Sequence, residues 1–237
     1  MNDDSESIEY EVKGATAIVA LARPPVNALS LRMIRSVTAA FRRAASDKGV
    51  RVVLLGSAIP GRFSAGLDLD ILLGRSGEEV REFVQDLYVA LYDAQYNLGK
   101  PSIALVAGAA RGGGMTMAIS CDVLIASESA TFGYPEIDVG VLPAIHFAYL
   151  PKLVGLHRAF ELLFGGRTFN AEEARLLGLV SRVVPDHEIE SCARDLPRFR
   201  QQVGQCDEFG RAAFMRQNDF DYRGALRPRS RTSAMSR

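Results

Sequence analysis

Phe63-Ser64-Ala65-Gly66-Leu67-Asp68 and Ala110-Arg111-Gly112-Gly113-Gly114-Met115 are two glycine-containing turns, and their reading decides the fold. Each follows a short apolar run, Val52-Val53-Leu54-Leu55 in the first case and Ile103-Ala104-Leu105-Val106 in the second. Such runs, apolar on both faces, are expected of parallel strands buried under helices. Each turn then reads as a helix start, where backbone N–H groups lack partners within the helix and the dipole favours negative charge. Two such starts aimed at one point make an oxyanion hole built from backbone alone. Taken singly, either turn is explained as well by tight packing of glycine.

Working outward, residues 8–12 and 16–22 read as strands of a hairpin joined at Lys13-Gly14. Ser30 reads as the N-cap of a helix that places Ile34, Val37, Phe41 and Ala44 on one face. A long helix is expected over 78–98, from Val80, Phe83, Val84, Leu87, Tyr88 and Leu91 at helical spacing. Val123-Leu124-Ile125-Ala126 and Thr131-Phe132-Gly133 read as strands, and 144–154 and 156–164 as helices. Asn170-Ala171-Glu172-Glu173 has the pattern of a capping box, with Gly178 closing its helix, and Val180 to Val184 follows as a strand. The recurring order of strand, turn and helix predicts an α/β fold with parallel pairing, arranged as a superhelical stack over residues 1–185. A helical C-terminal region over 186–222 and a disordered, polar and basic tail over 223–237 complete the expected organisation.

Lys and Arg number 28, as do Asp and Glu, so there is no basic excess to attract nucleic acid or a membrane surface. Cys121, Cys192 and Cys206 are widely spaced, and the acidic N-terminus lacks an apolar signal segment, so the cytoplasm is the expected location. Neither turn has the pattern of a P-loop or a dinucleotide fingerprint, and Ser64 is not in a nucleophile elbow. His146, His157 and His187 form no HExxH pattern, and no metal is expected. A third element is Gly133-Tyr134-Pro135-Glu136-Ile137-Asp138-Val139-Gly140. Glu136 lies among apolar neighbours. Burial there would raise its pKa towards the range of a general base, whereas an ordinary loop glutamate would be solvated.

Four segments together resemble the crotonase superfamily, also called the enoyl-CoA hydratase/isomerase family. They are Arg23-Pro24-Pro25-Val26-Asn27-Ala28-Leu29, Phe63 to Asp68, Gly108 to Gly114 with Cys121-Asp122, and Phe132 to Glu136 through Gly140. The resemblance implies a spiral of ββα units, assembly as homotrimers or pairs of trimers, and an acyl-CoA thioester as substrate. No separate cofactor is implied, since CoA arrives as part of the thioester. The family pattern places the oxyanion donors at the Leu67 and Gly113 amides and the proton-handling carboxylate at Glu136. It places Ala65 and nearby backbone, including Gly66, Asp68 and Gly112, against the CoA portion.

The chain also departs from that pattern. Hydratases of the family carry a glutamate two residues beyond the glycine triplet, where this chain has Thr116. Moving a double bond needs only one base, which takes a proton from C2 and returns it to C4. Isomerisation by Glu136 is therefore expected. Hydration stays open, with Asp138 or His146 as a second group, against the blander readings of a loop hydrogen bond for Asp138 and a core histidine for His146. Hydrolysis or decarboxylation in the same oxyanion hole, and a catalytically silent acyl-CoA-binding subunit, are the other readings. Asp70 stands where a lysine of the family often meets CoA phosphate, which leaves Arg23, Arg62 or a neighbouring subunit as the source of basic contacts. The acyl pocket is expected to draw on Leu72, Leu73, Val84, Leu142 and Phe147, with Phe209, Phe214 and Phe220 on a short amphipathic stretch.

Overall fold

The computed structural model describes residues 7–68, 76–140, 145–194 and 210–216. β1 (Ile8–Lys13) and β2 (Thr16–Leu21) pair antiparallel as the expected hairpin. β3 (Ala28–Leu29) leads into α1 (Leu31–Ser46), where the Ser30 hydroxyl accepts from the Met33 amide. Met33, Ile34, Val37 and Phe41 of α1 are fully buried. Each such side chain contributes about 1.5–3 kcal/mol relative to exposure.

The spiral then takes three turns, each sending one strand to each of two sheets. β4 (Val52–Ser57) is followed by β5 (Gly61–Ser64) and the two-residue β6 (Gly66–Leu67). After α2 (Gly77–Val84), a π-helical turn over Gln85–Ala90 and α3 (Leu91–Tyr96), β7 (Ser102–Val106) is followed by β8 (Gly108–Arg111) and α4 (Gly113–Ile119). β9 (Val123–Ser127) is followed by β10 (Thr131–Gly133) and a 3₁₀ turn over Pro135–Val139. The order of the larger sheet is β1-β2-β4-β7-β9-β12, and that of the smaller is β11-β10-β8-β5, with α5 (His146–Val154), α6 (Leu156–Gly165), β11 (Thr168–Asn170), α7 (Ala171–Leu176) and β12 (Arg182–Val184) completing the frame. Pairing is parallel except at β1–β2 and β10–β11.

Four expectations change. The helix expected over 78–98 is interrupted by the π-helical turn, because periodicity does not register one extra residue per turn. Between the apolar strand and the second glycine turn lies a further strand, β8, four residues of mostly small side chains, too short to show alternation. At the first turn, Gly66-Leu67 is a strand paired with β3 rather than a helix start. Finally, the Asn170 side chain caps α7 by accepting from Glu173 N, but the Glu173 carboxylate pairs with Arg167, so only half of the capping box forms.

In the C-terminal region the described elements are a 3₁₀ turn over Asp186–Glu188, α8 (Ile189–Arg194) and a helix over 210–216. Arg211, nearly buried, makes two bonds to the Asp122 carboxylate and donates to the carbonyls of Gln95 and Tyr96. It thereby ties this helix to the C-terminal end of α3, where cations complement the dipole. Cys121 and Cys192 are free thiols. Leu72, Leu73, Asp70, Leu142, Cys206, Phe209, Phe220, the tail over 223–237 and the Val84 side chain lie outside the described residues.

Candidate active site

Parallel register in the smaller sheet assembles the site. Ala109, Ala110 and Arg111 of β8 face Thr131, Phe132 and Gly133 of β10, while Ser64 of β5 faces Ala110 after a one-residue irregularity at Phe63. The segments that leave the C-terminal ends of β5, β8 and β10 therefore emerge side by side, where ligands bind in parallel sheets. They carry Ala65–Leu67, Gly112–Gly114 and Tyr134–Glu136. The Gly112 amide donates to Gly133 O at 3.0 Å, which stitches the second and third segments together.

The two glycine turns meet. A methyl placed on Gly66 would lie 2.9 Å from Arg111 O and 3.5 Å from Gly113 N. One on Gly113 would lie 3.0 Å from Leu67 Cδ2, and one on Gly114 would lie 2.7 Å from Ser64 Cβ. Only glycine lets the backbones approach this closely. Gly113 is the first residue of α4, so its amide has no partner within that helix. Leu67, by contrast, presents a strand amide, and the helix dipole acts from the Gly113 side only.

Asn27 holds the first turn in place, a role its sequence context did not reveal. It is fully buried with φ +51°, accepts from Arg23 N at 2.7 Å, and donates to Ser57 Oγ and Phe63 O at 2.8 and 3.0 Å. Ser64 Oγ donates to Asn27 O at 2.7 Å and accepts from Gly66 N at 3.2 Å. Asn27→Ala removes the side-chain bonds, orphans Phe63 O and puts alanine at positive φ. It should cost about 3 kcal/mol and lower the melting temperature by about 5–10 °C, read by calorimetry.

Glu136 is seated against the second turn. A methyl on Gly112 would fall 1.8 Å from Glu136 Oε1, so the carboxylate rests on the bare Cα next to the Gly113 amide. Its Oε2 is buried with no hydrogen-bond partner among the described residues. Burial raises the Glu136 pKa above the ordinary carboxylate value, partly offset by a bond to its own backbone. The Tyr88 phenol is pushed up to about 12, by burial first and then by the Glu136 charge, and Tyr134 is raised for the same two reasons.

Next to Tyr88, whose phenol feels the Glu136 charge, lies a cavity of about 30 Å³; Glu136 itself is not among its wall residues. Its walls include Leu87, Tyr88, Leu91, Tyr92, Ile145 and Tyr149, with Thr116, Ile119 and Ser120 contributed by one face of α4. Tyr88, which helical periodicity assigns to the core, lies four residues before Tyr92, a spacing that puts both rings on the cavity side. His146 also lines the cavity. It is buried, its Nε2 lies 3.0 Å from Thr116 Oγ1, and its ring meets Tyr134 edge-on at 4.6 Å between centroids. Burial depresses its pKa to about 3, so the ring is neutral near pH 7.

Other expected residues take other places. Asp138 is exposed at the surface beside Gly166 and does not line the cavity, because the 3₁₀ turn points successive residues to different sides. Phe147 stacks on Phe164 outside the cavity. Asp68 forms a 2.8 Å ion pair with Arg23, whose guanidinium also donates to Ala28 O. The Ala65 N–H donates to Val26 O, so what Ala65 offers a ligand is its carbonyl. Arg62 is exposed near Arg111, whose pKa burial lowers first and the Arg62 charge second.

Fold and site define a class: a ββα spiral in which two backbone turns and one desolvated carboxylate converge. Residues 11–204 match the model of the enoyl-CoA hydratase/isomerase family, and the chain belongs to that family. It is 37% identical over 188 residues to a probable enoyl-CoA hydratase of Rhizobium meliloti, covering 78% of this chain and 72% of that one. It is also 33% identical over 184 residues to the glyoxysomal fatty acid beta-oxidation multifunctional protein MFP-a of Cucumis sativus, covering 75% of this chain and 25% of that protein. The chain thus spans only a quarter of that multifunctional relative. The crystal structure of an enoyl-CoA hydratase from Bacillus anthracis superposes with a TM-score of 0.84 at 29% identity, over 93% of this chain and 87% of that one. Among the described residues, no helix is long and apolar enough to cross a membrane, and no group of His, Cys, Asp and Glu is arranged to hold a metal ion.

Proposed function

We propose that this protein isomerises a 3-enoyl-CoA thioester to its 2-enoyl isomer, with Glu136 as the single proton carrier. The carrying observation is that one desolvated carboxylate sits against the second glycine turn, close enough to the cavity-lining Tyr88 to raise its pKa, while the position one helical turn further along α4 is the neutral Thr116, bonded to a neutral histidine. The Leu67 and Gly113 amides take the thioester oxygen and stabilise the enolate that forms when C2 loses its proton. Glu136 accepts that proton at its unpartnered Oε2 and delivers it to C4 of the same dienolate. The Ala65 carbonyl, Gly66 and the neighbouring backbone face the CoA portion. Incubation with 2-enoyl-, 3-enoyl- and 3-hydroxyacyl-CoA thioesters, read by mass, tests the reading. It predicts interconversion of the two enoyl thioesters with no mass change. Gain of one water would show hydration, the activity in the relatives' names, and release of free CoA would show hydrolysis.

The assembly we infer is a homotrimer or a pair of trimers. Support comes from the family and from an exposed aromatic surface on α5 and α6. There Phe147 and Phe160 both stack on Phe164, and Leu156 is 69% exposed. Exposed apolar patches of this kind mark contact surfaces. Phe160→Glu is expected to shift the sedimentation profile towards monomer. An unchanged profile would place the contact elsewhere.

A further inference from the structure

Thr116 and His146 take no part in the proton transfer described above, yet they form part of the cavity wall. Gly113 and Thr116 are three residues apart on α4, which places the threonine about 4.5 Å further along the same helix face. A thioester whose oxygen rests on the Gly113 amide therefore lays the following carbons of its acyl chain past the Thr116 hydroxyl. The bond to His146 Nε2 uses one of the three hydrogen-bonding positions of that hydroxyl. Thr116 is half-buried and lines the cavity. The rest of the wall is Leu87, Leu91, Ile119, Ile145 and the tyrosine rings, with Gln95, Ser120 and His146 as the other polar members. A plain hydrocarbon chain would cover the hydroxyl and give it nothing in return, which costs binding free energy.

We propose that Thr116, oriented by His146, is a specificity residue that receives a neutral oxygen on the acyl chain a few carbons beyond the thioester. The preferred substrates are then hydroxy- or oxo-substituted enoyl-CoA thioesters rather than plain hydrocarbon ones. His146 is a positioning residue: it fixes the Thr116 rotamer and is itself braced by the Tyr134 ring. Because the ring is neutral, the pair suits an uncharged oxygen. The inference rests on the acyl-CoA reading above.

Calorimetric binding of unreactive saturated thioesters separates the two. The probes are hexanoyl-CoA and its 3-, 4- and 5-hydroxy derivatives, titrated into wild type, Thr116→Val and Thr116→Ser. The wild type is expected to bind the 4- or 5-hydroxy thioester about 10- to 100-fold more tightly than hexanoyl-CoA. The serine variant should keep that preference. The valine variant should lose it while binding hexanoyl-CoA a few-fold more tightly, which also shows that it is folded. Equal affinities in the wild type, or a preference that survives in Thr116→Val, would overturn the proposal. So would a preference confined to the 3-hydroxy thioester, which would assign the pair to a reacting water. Failure of every thioester to bind would overturn the acyl-CoA reading itself.

Discussion

Glu136→Gln is expected to lower isomerase turnover by about 1,000-fold or more while acyl-CoA binding stays within a few-fold of wild type. General acid–base groups contribute roughly 100- to 10,000-fold, and in the proposed isomerisation one carboxylate makes both transfers. The amide keeps the shape of the side chain and its seat against Gly112 but carries no transferable proton at the needed pKa. The same substitution is expected to leave stability at pH 7 equal to or above that of the wild type. The folded-state pKa of Glu136 is raised, so the folded protein disfavours the ionised form. That penalty grows as pH rises above the ordinary carboxylate value of about 4.3 and vanishes below it. Melting curves of the two proteins should therefore converge near pH 4 and diverge towards neutrality, with the glutamine protein the more stable. Activity, which needs the ionised base, should fall off on the acid side at a pH above that ordinary value. A catalytically silent subunit would show neither the loss of turnover nor the acid limb.

Gly112→Ala is the second substitution of large expected effect, and it acts by moving the base. The new methyl would lie 1.8 Å from Glu136 Oε1 and 2.5 Å from its Cδ, so the two cannot coexist. The obstructing atoms belong to the end of a flexible side chain, which gives way where backbone would not. The carboxylate is pushed off the second glycine turn, and a displacement of about 1 Å is enough for a roughly 100-fold loss in rate. Alanine at φ +45° and ψ −111° adds about 1–3 kcal/mol of backbone cost. Gly14→Ala provides the control: its φ is +59° and nothing lies within 4 Å of the added methyl. It should lose comparable stability and keep its turnover. If Gly112→Ala lowered only stability, Glu136 would not depend on its seat against Gly112.

Much of this site was legible in the chain because it is built from backbone. The glycines at 66, 112, 113 and 114 announce close approach, and Pro135-Glu136 announces a fixed carboxylate. The strands before the turns are apolar on both faces, so the parallel spiral followed from them. What stayed hidden depends on tertiary register. The role of Asn27 comes from bonds to Ser57 and Phe63, about 30 residues away and more, which no local pattern encodes. The Thr116–His146 bond joins α4 to α5, and each residue alone reads as ordinary. Asp138 and Phe147 were expected at the pocket because they flank it in sequence. A 3₁₀ turn and the outer face of α5 carry them to the surface instead. The turn at Leu67 reads in sequence as a helix start, whereas pairing with Ala28-Leu29 makes it a strand.

The central claim is that one carboxylate carries one proton between two carbons of the same thioester. Its most direct test uses a 3-enoyl-CoA bearing deuterium at C2, with the product examined at the earliest turnover by mass and proton spectra. The account predicts a 2-enoyl-CoA in which deuterium from C2 is recovered at C4, formed by the wild type and not by Glu136→Gln. A 2-enoyl-CoA with only solvent hydrogen at C4, or the same product formed at the wild-type rate by Glu136→Gln, would contradict it.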